Sequence, residues 1–271
     1  MGSGIAEVAA AAGSTVIVRS RSQATADAML AGLEKSLAKQ VEREKRTQDE
    51  ADALRARVSA TTRLDDLHDC DFVIESVVED LAVKKAIFNE LDRAVNHLAI
   101  LATNTSTLSV IDLAMETSRP ERVCGVHFFN PAPAMSLVEV VRPLCASDET
   151  IESVIAFAQA CGKDAVEVKD RAGFIVNALL FPYLNNAIRL LETGVANKEG
   201  IDIAMKGGCG FPMGPFALLD LVGLDTSLAI LEALHKEFAD PNFAPVPLLR
   251  RMVSAGLLGR KSGVGFYDYR R

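Results

Sequence analysis

The feature that most constrains the fold is a change of pattern along the chain. In the first part, short apolar runs typical of buried strands alternate with longer helical patterns, and from Gly173 onward the patterns are almost entirely helical. Such alternation predicts a mostly parallel sheet covered by helices, followed by an all-α region. The predicted strands are residues 16–18, 72–78, 99–103, 123–129 and 137–141.

Helix signals fall between these runs. A helix rich in small residues is expected over 4–12, ending at Gly13, and others over 23–43 and 80–95. Thr47 and Glu50 have the spacing of a capping box, which predicts another charged helix running through Val58. A polar segment at 170–173 predicts a hinge, so we expect an α/β domain at 1–169 and an all-α domain at 170–271.

Composition narrows the class of protein. The net charge of −7 argues against a nucleic-acid or acidic-membrane partner. The sequence has no run of about 18 apolar residues, so it predicts no membrane-spanning helix. The N-terminal stretch has no basic segment of the kind that begins a secretory signal. The five cysteines are odd in number and form no CxxC pair, and most lie in apolar runs, which favours buried, reduced thiols and a cytoplasmic location.

The first residues match part of a dinucleotide-binding fingerprint. In a Rossmann domain a strand leads into GxGxxG and a helix, and the glycines let a pyrophosphate approach the helix N-terminus. Here Gly2 occupies the place of the third glycine, where helix and strand pack closely, and the first strand and first two glycines are missing. The alternative is an ordinary Gly/Ala-rich helix. Since the turn before Gly2 is missing, we expect the chain as written to bind nicotinamide cofactor weakly.

The end of the next strand bears on the choice of cofactor. An acidic residue there usually binds the adenine ribose of NAD, whereas a nearby arginine accommodates the 2′-phosphate of NADP. Ser20 holds this position, between Arg19 and Arg21. NAD remains the expected cofactor and NADP is possible. The alternative is that these three residues are plain surface polar residues.

A histidine and a glutamate form the candidate catalytic pair. His127 lies at the predicted carboxyl end of a strand, where open α/β sheets bind ligands, and an Asn-Pro turn follows it. Glu139 lies on the next predicted strand, so a short return would bring it beside the imidazole. A carboxylate there selects the tautomer of a histidine that acts as a general base. A lone histidine at a strand end is more often structural.

At this point the chain resembles the 3-hydroxyacyl-CoA dehydrogenase family, close to its 3-hydroxybutyryl-CoA members. The resemblance runs over essentially the whole chain. It rests on ordered motifs at residues 104–106, 127–131, 137–139, 173–177, 212–215, 220–225 and 259–267. It implies an α/β Rossmann-type domain, here without its first strand, followed by an all-α substrate and dimerisation domain.

The resemblance also implies roles for single residues. His127 takes the proton from the 3-hydroxyl group, and Glu139 stabilises the resulting imidazolium. Ser106 and Asn177 hydrogen-bond the substrate oxygen. The alternatives are a helix N-cap for Ser106, which is compatible with that role, and a polar hinge residue for Asn177. The implied cofactor-contacting residues are Gly2, Ser20, Glu79, Lys84, Asn104 and Ser106. Glu79 has an alternative as an acid at a helix start, where the helix dipole favours it.

A charged helical arm completes the implied site. Ser36, Lys39 and Arg43 match the arm that binds coenzyme A in the family, so Ser36 and Arg43 are expected to contact substrate. For any one of them a solvated helix face is an equal alternative. A local basic patch is needed if an acidic protein is to bind coenzyme A.

The expected function is the interconversion of (S)-3-hydroxyacyl-CoA and 3-oxoacyl-CoA by a cytoplasmic homodimer in fatty-acid metabolism. One alternative is a cofactor-impaired paralogue that binds acyl-CoA or a partner without redox turnover. Another is a dehydrogenase that acts on a related hydroxy acid without coenzyme A. The implied arm and the full order of motifs argue against the latter.

Overall fold

The first part of the chain forms seven strands in the computed structural model, which describes residues 1–270, and the five predicted apolar runs are among them. β1 (Val16–Arg19) and β2 (Val58–Thr61) pair in parallel as a two-stranded sheet. The second sheet has the order β3-β4-β5-β6-β7. Its strands are β3 (Phe72–Glu75), β4 (Ile100–Thr103), β5 (Val123–Phe128), β6 (Leu137–Arg142) and β7 (Asp164–Lys169). All pairs in it are parallel except β5 with β6.

Helices connect and cover these strands. They are α1 (Gly2–Ala11), α2 (Gln23–Glu42), α3 (Gln48–Ala56), α4 (Leu81–Ala94), α5 (Val110–Ala114) and α6 (Asp148–Ala160). Side-chain oxygens cap most of their first turns and satisfy backbone N–H groups that have no partner within the helix. Thr47 and Glu50 form the expected capping box at the start of α3.

Several elements differ from the sequence prediction. The helix expected to run through Val58 ends at Ala56, and Val58 begins β2, because its side chain packs into a core with Leu54, Leu37 and Val18. The strand expected to reach residue 78 stops at Glu75. The helices α5 and α6 and the strand β7 were not expected; four of the six residues of β7 are exposed, so it has no continuous apolar run.

The chain divides into two compact units, Met1–Asp170 and Arg171–Arg271. The second contains α7 (Val176–Glu192), α8 (Lys198–Cys209), α9 (Pro215–Val222), α10 (Leu224–Phe238) and α11 (Pro247–Ser254). Their apolar faces enclose a core of their own that includes Leu184, Phe216, Leu231 and Leu249. Burial of these side chains is the main favourable contribution to the stability of the helical unit.

The last segment of the helical unit is fastened to Asp220 of α9. The Asp220 carboxylate accepts hydrogen bonds from the N–H groups of Phe266 and Tyr267, each at 2.8 Å, and from the Tyr269 hydroxyl at 3.1 Å. Gly259 passes so close that an added Cβ would lie 2.4 Å from the Asp220 carbonyl oxygen. A glycine is therefore needed at position 259, because the Asp220 backbone leaves no room for a Cβ there.

The cysteines are free, but they are less buried than expected. Only Cys124 is buried, and Cys209 is exposed. Burial raises the pKa of the Cys124 thiol to about 12, so this thiol stays protonated near neutral pH. Among residues 1–270, no helix is both long and apolar enough to cross a membrane.

Candidate active site

Three parallel strands end at one edge of the larger sheet, and Asn104 ties their ends together. Its N–H donates to the Glu75 carbonyl at the end of β3, at 2.8 Å. Its side-chain oxygen accepts from the N–H of Phe128 in β5 at 2.9 Å, and its amide nitrogen lies 3.4 Å from the Ser76 hydroxyl. Asn104 itself directly follows β4. The nicotinamide-contacting residue implied by the resemblance therefore lies at the carboxyl edge, where α/β sheets bind ligands.

His127 and Glu139 meet at the same edge. Because β5 and β6 are antiparallel, the two residues are direct partners across the strands, and His127 Nδ1 lies 2.7 Å from Glu139 Oε2. Both side chains are buried, at 6% and 0% exposed. A carboxylate at Nδ1 holds the proton on that nitrogen and leaves Nε2 as the proton acceptor. The arrangement suits an imidazole that takes a proton from a substrate and becomes charged.

Glu79 holds the loop that carries Ser106. One of its oxygens accepts from the Thr105 hydroxyl at 2.5 Å and from the N–H groups of Ser106 at 2.9 Å and Thr107 at 3.3 Å. Glu79 is thus more than a helix-start acid, since Asp80 is the residue that caps α4. The N-cap alternative for Ser106 is wrong, because Ser109 caps α5.

Lys84 lies beneath this loop in a buried ion pair. Its side chain is 1% exposed, and Nζ donates to both oxygens of Glu75 at 2.8 and 2.9 Å, with a Glu79 oxygen at 3.3 Å. Glu75 also accepts from the Thr103 hydroxyl at 2.8 Å. Sequence reasoning missed Glu75. The available signal was an acid ending an apolar strand, with a lysine on the following helix.

Two of the expected cofactor-contacting residues, Gly2 and Ser20, lie at the start of α1 and directly after β1. α1 begins at Gly2, whose added Cβ would lie 3.4 Å from Met29 Cε and 3.9 Å from Ser76 Cβ. These are ordinary contact distances, so the expected close packing at Gly2 is not what the structure shows. Ser20 directly follows β1, and its N–H donates to the Thr61 carbonyl at 3.0 Å.

An adenosine ribose at the end of β1 would lie beside polar and basic groups. Arg19 Nε is buried and has no hydrogen-bond partner among residues 1–270. A buried N–H without an acceptor is costly, so the end of β1 fits an anionic or hydroxyl oxygen of a bound dinucleotide. The residues present therefore fit a nicotinamide dinucleotide at this edge.

The expected coenzyme A arm is formed by α2. Ser36 lies in α2 and Arg43 is its C-cap, about two turns further along on the same side. Gln40 donates to Ser36 Oγ at 3.3 Å and to a buried oxygen of Glu7 in α1 at 2.7 Å. A cleft of about 330 Å³, which sequence reasoning did not find, adjoins this contact and is lined by Glu7, Gln40, Arg46, Lys163 and others.

Asn177 lies in the first turn of α7 and is 7% exposed. It is thus a helix residue of the second unit rather than part of an irregular connection. No group of three or more His, Cys, Asp or Glu side chains arranged to hold a metal ion occurs within residues 1–270.

Comparisons with known proteins agree with this geometry. Residues 1–171 match the family model for the 3-hydroxyacyl-CoA dehydrogenase NAD-binding domain, and residues 173–269 match the model for the C-terminal domain of that family. A 3-hydroxybutyryl-CoA dehydrogenase of Clostridioides difficile is 45% identical, over 100% of this chain and 96% of the relative.

Solved structures are similarly close. The (S)-3-hydroxybutyryl-CoA dehydrogenase PaaH1 of Ralstonia eutropha is 43% identical with a TM-score of 0.97, covering 100% of this chain and 96% of that one. FadB2 of Mycobacterium tuberculosis is 48% identical, also with a TM-score of 0.97, covering 100% and 95%. The expected fold class, a Rossmann-type domain followed by a helical domain, is confirmed, as is NAD as the cofactor class. The chain belongs to the 3-hydroxyacyl-CoA dehydrogenase family.

Proposed function

We propose that this protein interconverts (S)-3-hydroxyacyl-CoA and 3-oxoacyl-CoA, with 3-hydroxybutyryl-CoA as its substrate. The observation that carries the proposal is the buried pair of His127 and Glu139 at the carboxyl edge of the sheet, with Nδ1 and Oε2 2.7 Å apart. The names of the C. difficile and R. eutropha relatives support the short acyl chain. The cofactor-impaired alternative has no comparable support.

In the oxidative direction His127 Nε2 accepts the proton of the 3-hydroxyl group as the C3–H bond breaks. A nicotinamide bound at this site would accept that hydrogen as a hydride. Glu139 stabilises the imidazolium that forms, since the two charges are in contact and shielded from water. In the reverse direction the imidazolium returns the proton to the oxygen.

Other residues position the substrate and cofactor. Ser106, on the loop held by Glu79, and Asn177, in the first turn of α7, donate hydrogen bonds to the substrate oxygen. Asn104 orients the nicotinamide. Around the cofactor we place Gly2, Ser20, Glu79 and Lys84, the last acting through its contacts with Glu75 and Glu79. Ser36 and Arg43 of α2 bind the coenzyme A moiety.

We assign cofactor binding and the coenzyme A arm to 1–169, and the acyl-facing and dimerisation surfaces to 170–271. A homodimer is supported by large apolar side chains that remain exposed in the helical unit, among them Leu179 at 71% and Ile203 at 66%. The free thiols support a cytoplasmic location.

The test is turnover of acetoacetyl-CoA with reduced nicotinamide cofactor. In His127→Gln we expect a loss of about 10²–10⁴-fold in kcat with the fold retained by circular dichroism, because the general base is removed. Glu139→Gln should also slow turnover and change the pH profile, because the imidazolium loses its partner. His235→Gln, an exposed histidine of α10, is the control and should behave as wild type. Activity of His127→Gln close to wild type would contradict the assignment.

A further inference from the structure

We propose that the end of β1 binds the 2′-phosphate of an adenine dinucleotide, so that this chain accepts NADP(H) in addition to NAD(H). The inference rests on the proposed function, since it concerns the same cofactor site, and it specifies which residues select the cofactor. It starts from Ser20, where the rule for this fold expects an acid that binds the ribose hydroxyls.

Ser20 has a fixed place at the strand end. Its N–H donates to the Thr61 carbonyl of β2, which extends the parallel pairing one residue beyond Arg19. Ser22 then begins α2 and caps its first turn through the N–H of Thr25. The segment 19–21 therefore runs from the last residue of β1 into the short turn before a helix of twenty residues, and carries two guanidinium groups and no carboxylate.

Neither guanidinium is engaged by another part of the described chain. Arg19 is half-buried, and its Nε is shielded from solvent without an acceptor. Arg21 is exposed and is in none of the ion pairs of residues 1–270. Most other arginines of this unit pair with an acid or a carbonyl, as Arg55 does with Glu34. Arg19 and Arg21 are left available for an anion.

The acids that follow the neighbouring strand are already engaged. Asp65 and Asp66, beyond the end of β2, lie 3.5 and 3.6 Å from the Arg63 guanidinium, and Asp66 also accepts from the Thr61 hydroxyl. These contacts reduce the repulsion between the two carboxylates and a 2′-phosphate bound at the end of β1. A phosphate monoester carries a charge of about −1.5 to −2 at neutral pH and presents oxygens that guanidinium groups bind strongly.

Calorimetry with 2′,5′-ADP and 5′-ADP tests this contact, since both ligands carry two phosphates on adenosine and only the first has one of them at the 2′ position. We expect wild-type protein to bind 2′,5′-ADP at least about tenfold more tightly than 5′-ADP, as one charge-assisted contact is worth about that factor. The preference should shrink as salt is raised. Equal affinities, a preference for 5′-ADP, or no binding of either ligand would overturn the proposal.

Variants assign the preference to residues. Arg19→Gln and Arg21→Gln should each lower 2′,5′-ADP affinity about tenfold and leave 5′-ADP affinity unchanged. Ser20→Asp should abolish the preference, because its carboxylate repels the 2′-phosphate. Arg251→Gln, an exposed arginine of α11 in the helical unit, is the matched control and should change neither affinity. A preference that survives in all three variants of the 19–21 segment would overturn the assignment.

Turnover measured with NADPH and NADH separates this inference from the proposed function. Selective binding of 2′,5′-ADP by a protein that does not reduce acetoacetyl-CoA would support the 2′-phosphate site and contradict the dehydrogenase assignment. Turnover with NADH alone, together with equal binding of 2′,5′-ADP and 5′-ADP, would support the dehydrogenase assignment and contradict the 2′-phosphate site.

Discussion

Single residues show how local chemistry is arranged by distant parts of the chain. His127 and Glu139 are twelve residues apart in sequence, and their contact depends on an antiparallel return of β6 beside β5. Glu75 and Thr103 are twenty-eight residues apart and meet because parallel strands end at one edge. Residue types therefore supplied the candidates, and strand pairing brought them within hydrogen-bond distance.

Gly259 allows a prediction at this scale. Its backbone has φ of 94°, and an added Cβ would lie 2.4 Å from the Asp220 carbonyl oxygen and 2.7 Å from Asp220 Cα. Gly259→Ala should lower the free energy of unfolding by about 3 kcal/mol, because the backbone is strained and the neighbouring backbone cannot give way. Urea unfolding followed by circular dichroism measures the loss.

Gly256→Ala is the matched control for Gly259→Ala. Gly256 also has positive φ, at 73°, but an added Cβ would meet nothing within 4 Å. This variant should lose only the cost of left-handed backbone, about 1–2 kcal/mol. If both variants lose the same free energy of unfolding, the close approach of Gly259 to Asp220 is not what makes the substitution destabilising.

Among the elements, the end of α4 depends on one buried arginine. Arg119 donates to the Asp92 carboxylate at 2.8 Å and to the carbonyls of Asp92, Val95 and Asn96, which are left without helical partners. Desolvation raises the pKa of Asp92, but hydrogen bonds from Arg119 and Ser118 together outweigh it and leave the pKa below its ordinary value. The helix end, the loop and the start of β5 are thereby joined.

This depressed pKa predicts a pH dependence. The ionised Asp92 contributes stability that is present above its unfolded pKa, near 3.9, and is lost as the pH falls through the lower folded value. Asp92→Asn should therefore lower the free energy of unfolding by about 2 kcal/mol at pH 6, and by progressively less toward pH 3. Urea titrations at several pH values measure the difference.

Glu90→Gln serves as the control for Asp92→Asn, because Glu90 is an exposed residue of the same helix. It should change stability by less than about 0.5 kcal/mol at every pH. A constant difference between wild type and Asp92→Asn across the range would show that the Asp92 carboxylate does not carry the effect.

At the scale of the whole molecule, each compact unit has its own core. The helical unit buries Leu184, Phe216, Leu231 and Leu249 together, whereas the α/β unit has separate clusters around β5 and around β1. About a hundred residues suffice for an independent core. We expect the isolated segment 171–271 to fold and to unfold in one cooperative transition, measured by circular dichroism during thermal denaturation.

Two substitutions in the isolated segment check that its core is the one described. Phe216→Ala removes a fully buried ring and should lower the free energy of unfolding by about 3–5 kcal/mol. Glu237→Gln, at an exposed residue of α10, should change it by less than about 0.5 kcal/mol. A segment without a cooperative transition, or equal effects of the two changes, would contradict an independent core.

The sequence alone determined the class of fold and most of its elements. Apolar runs and helical periodicity reflect local burial, so they located β1, β4 and α2 closely, and the capping box predicted the start of α3. Ordered motifs identified the family, because they preserve residue types whose chemistry is specific.

Tertiary structure decided what local patterns do not encode. Neighbouring strands supply the hydrogen bonds and burial on which three features depend. These are the antiparallel orientation of β6, the strand that begins at Val58, and the largely exposed strand β7. The burial of the Lys84 and Glu75 pair likewise follows from packing. A charged residue shows its burial and its partner only after the chain has folded around it, because both are properties of the surroundings.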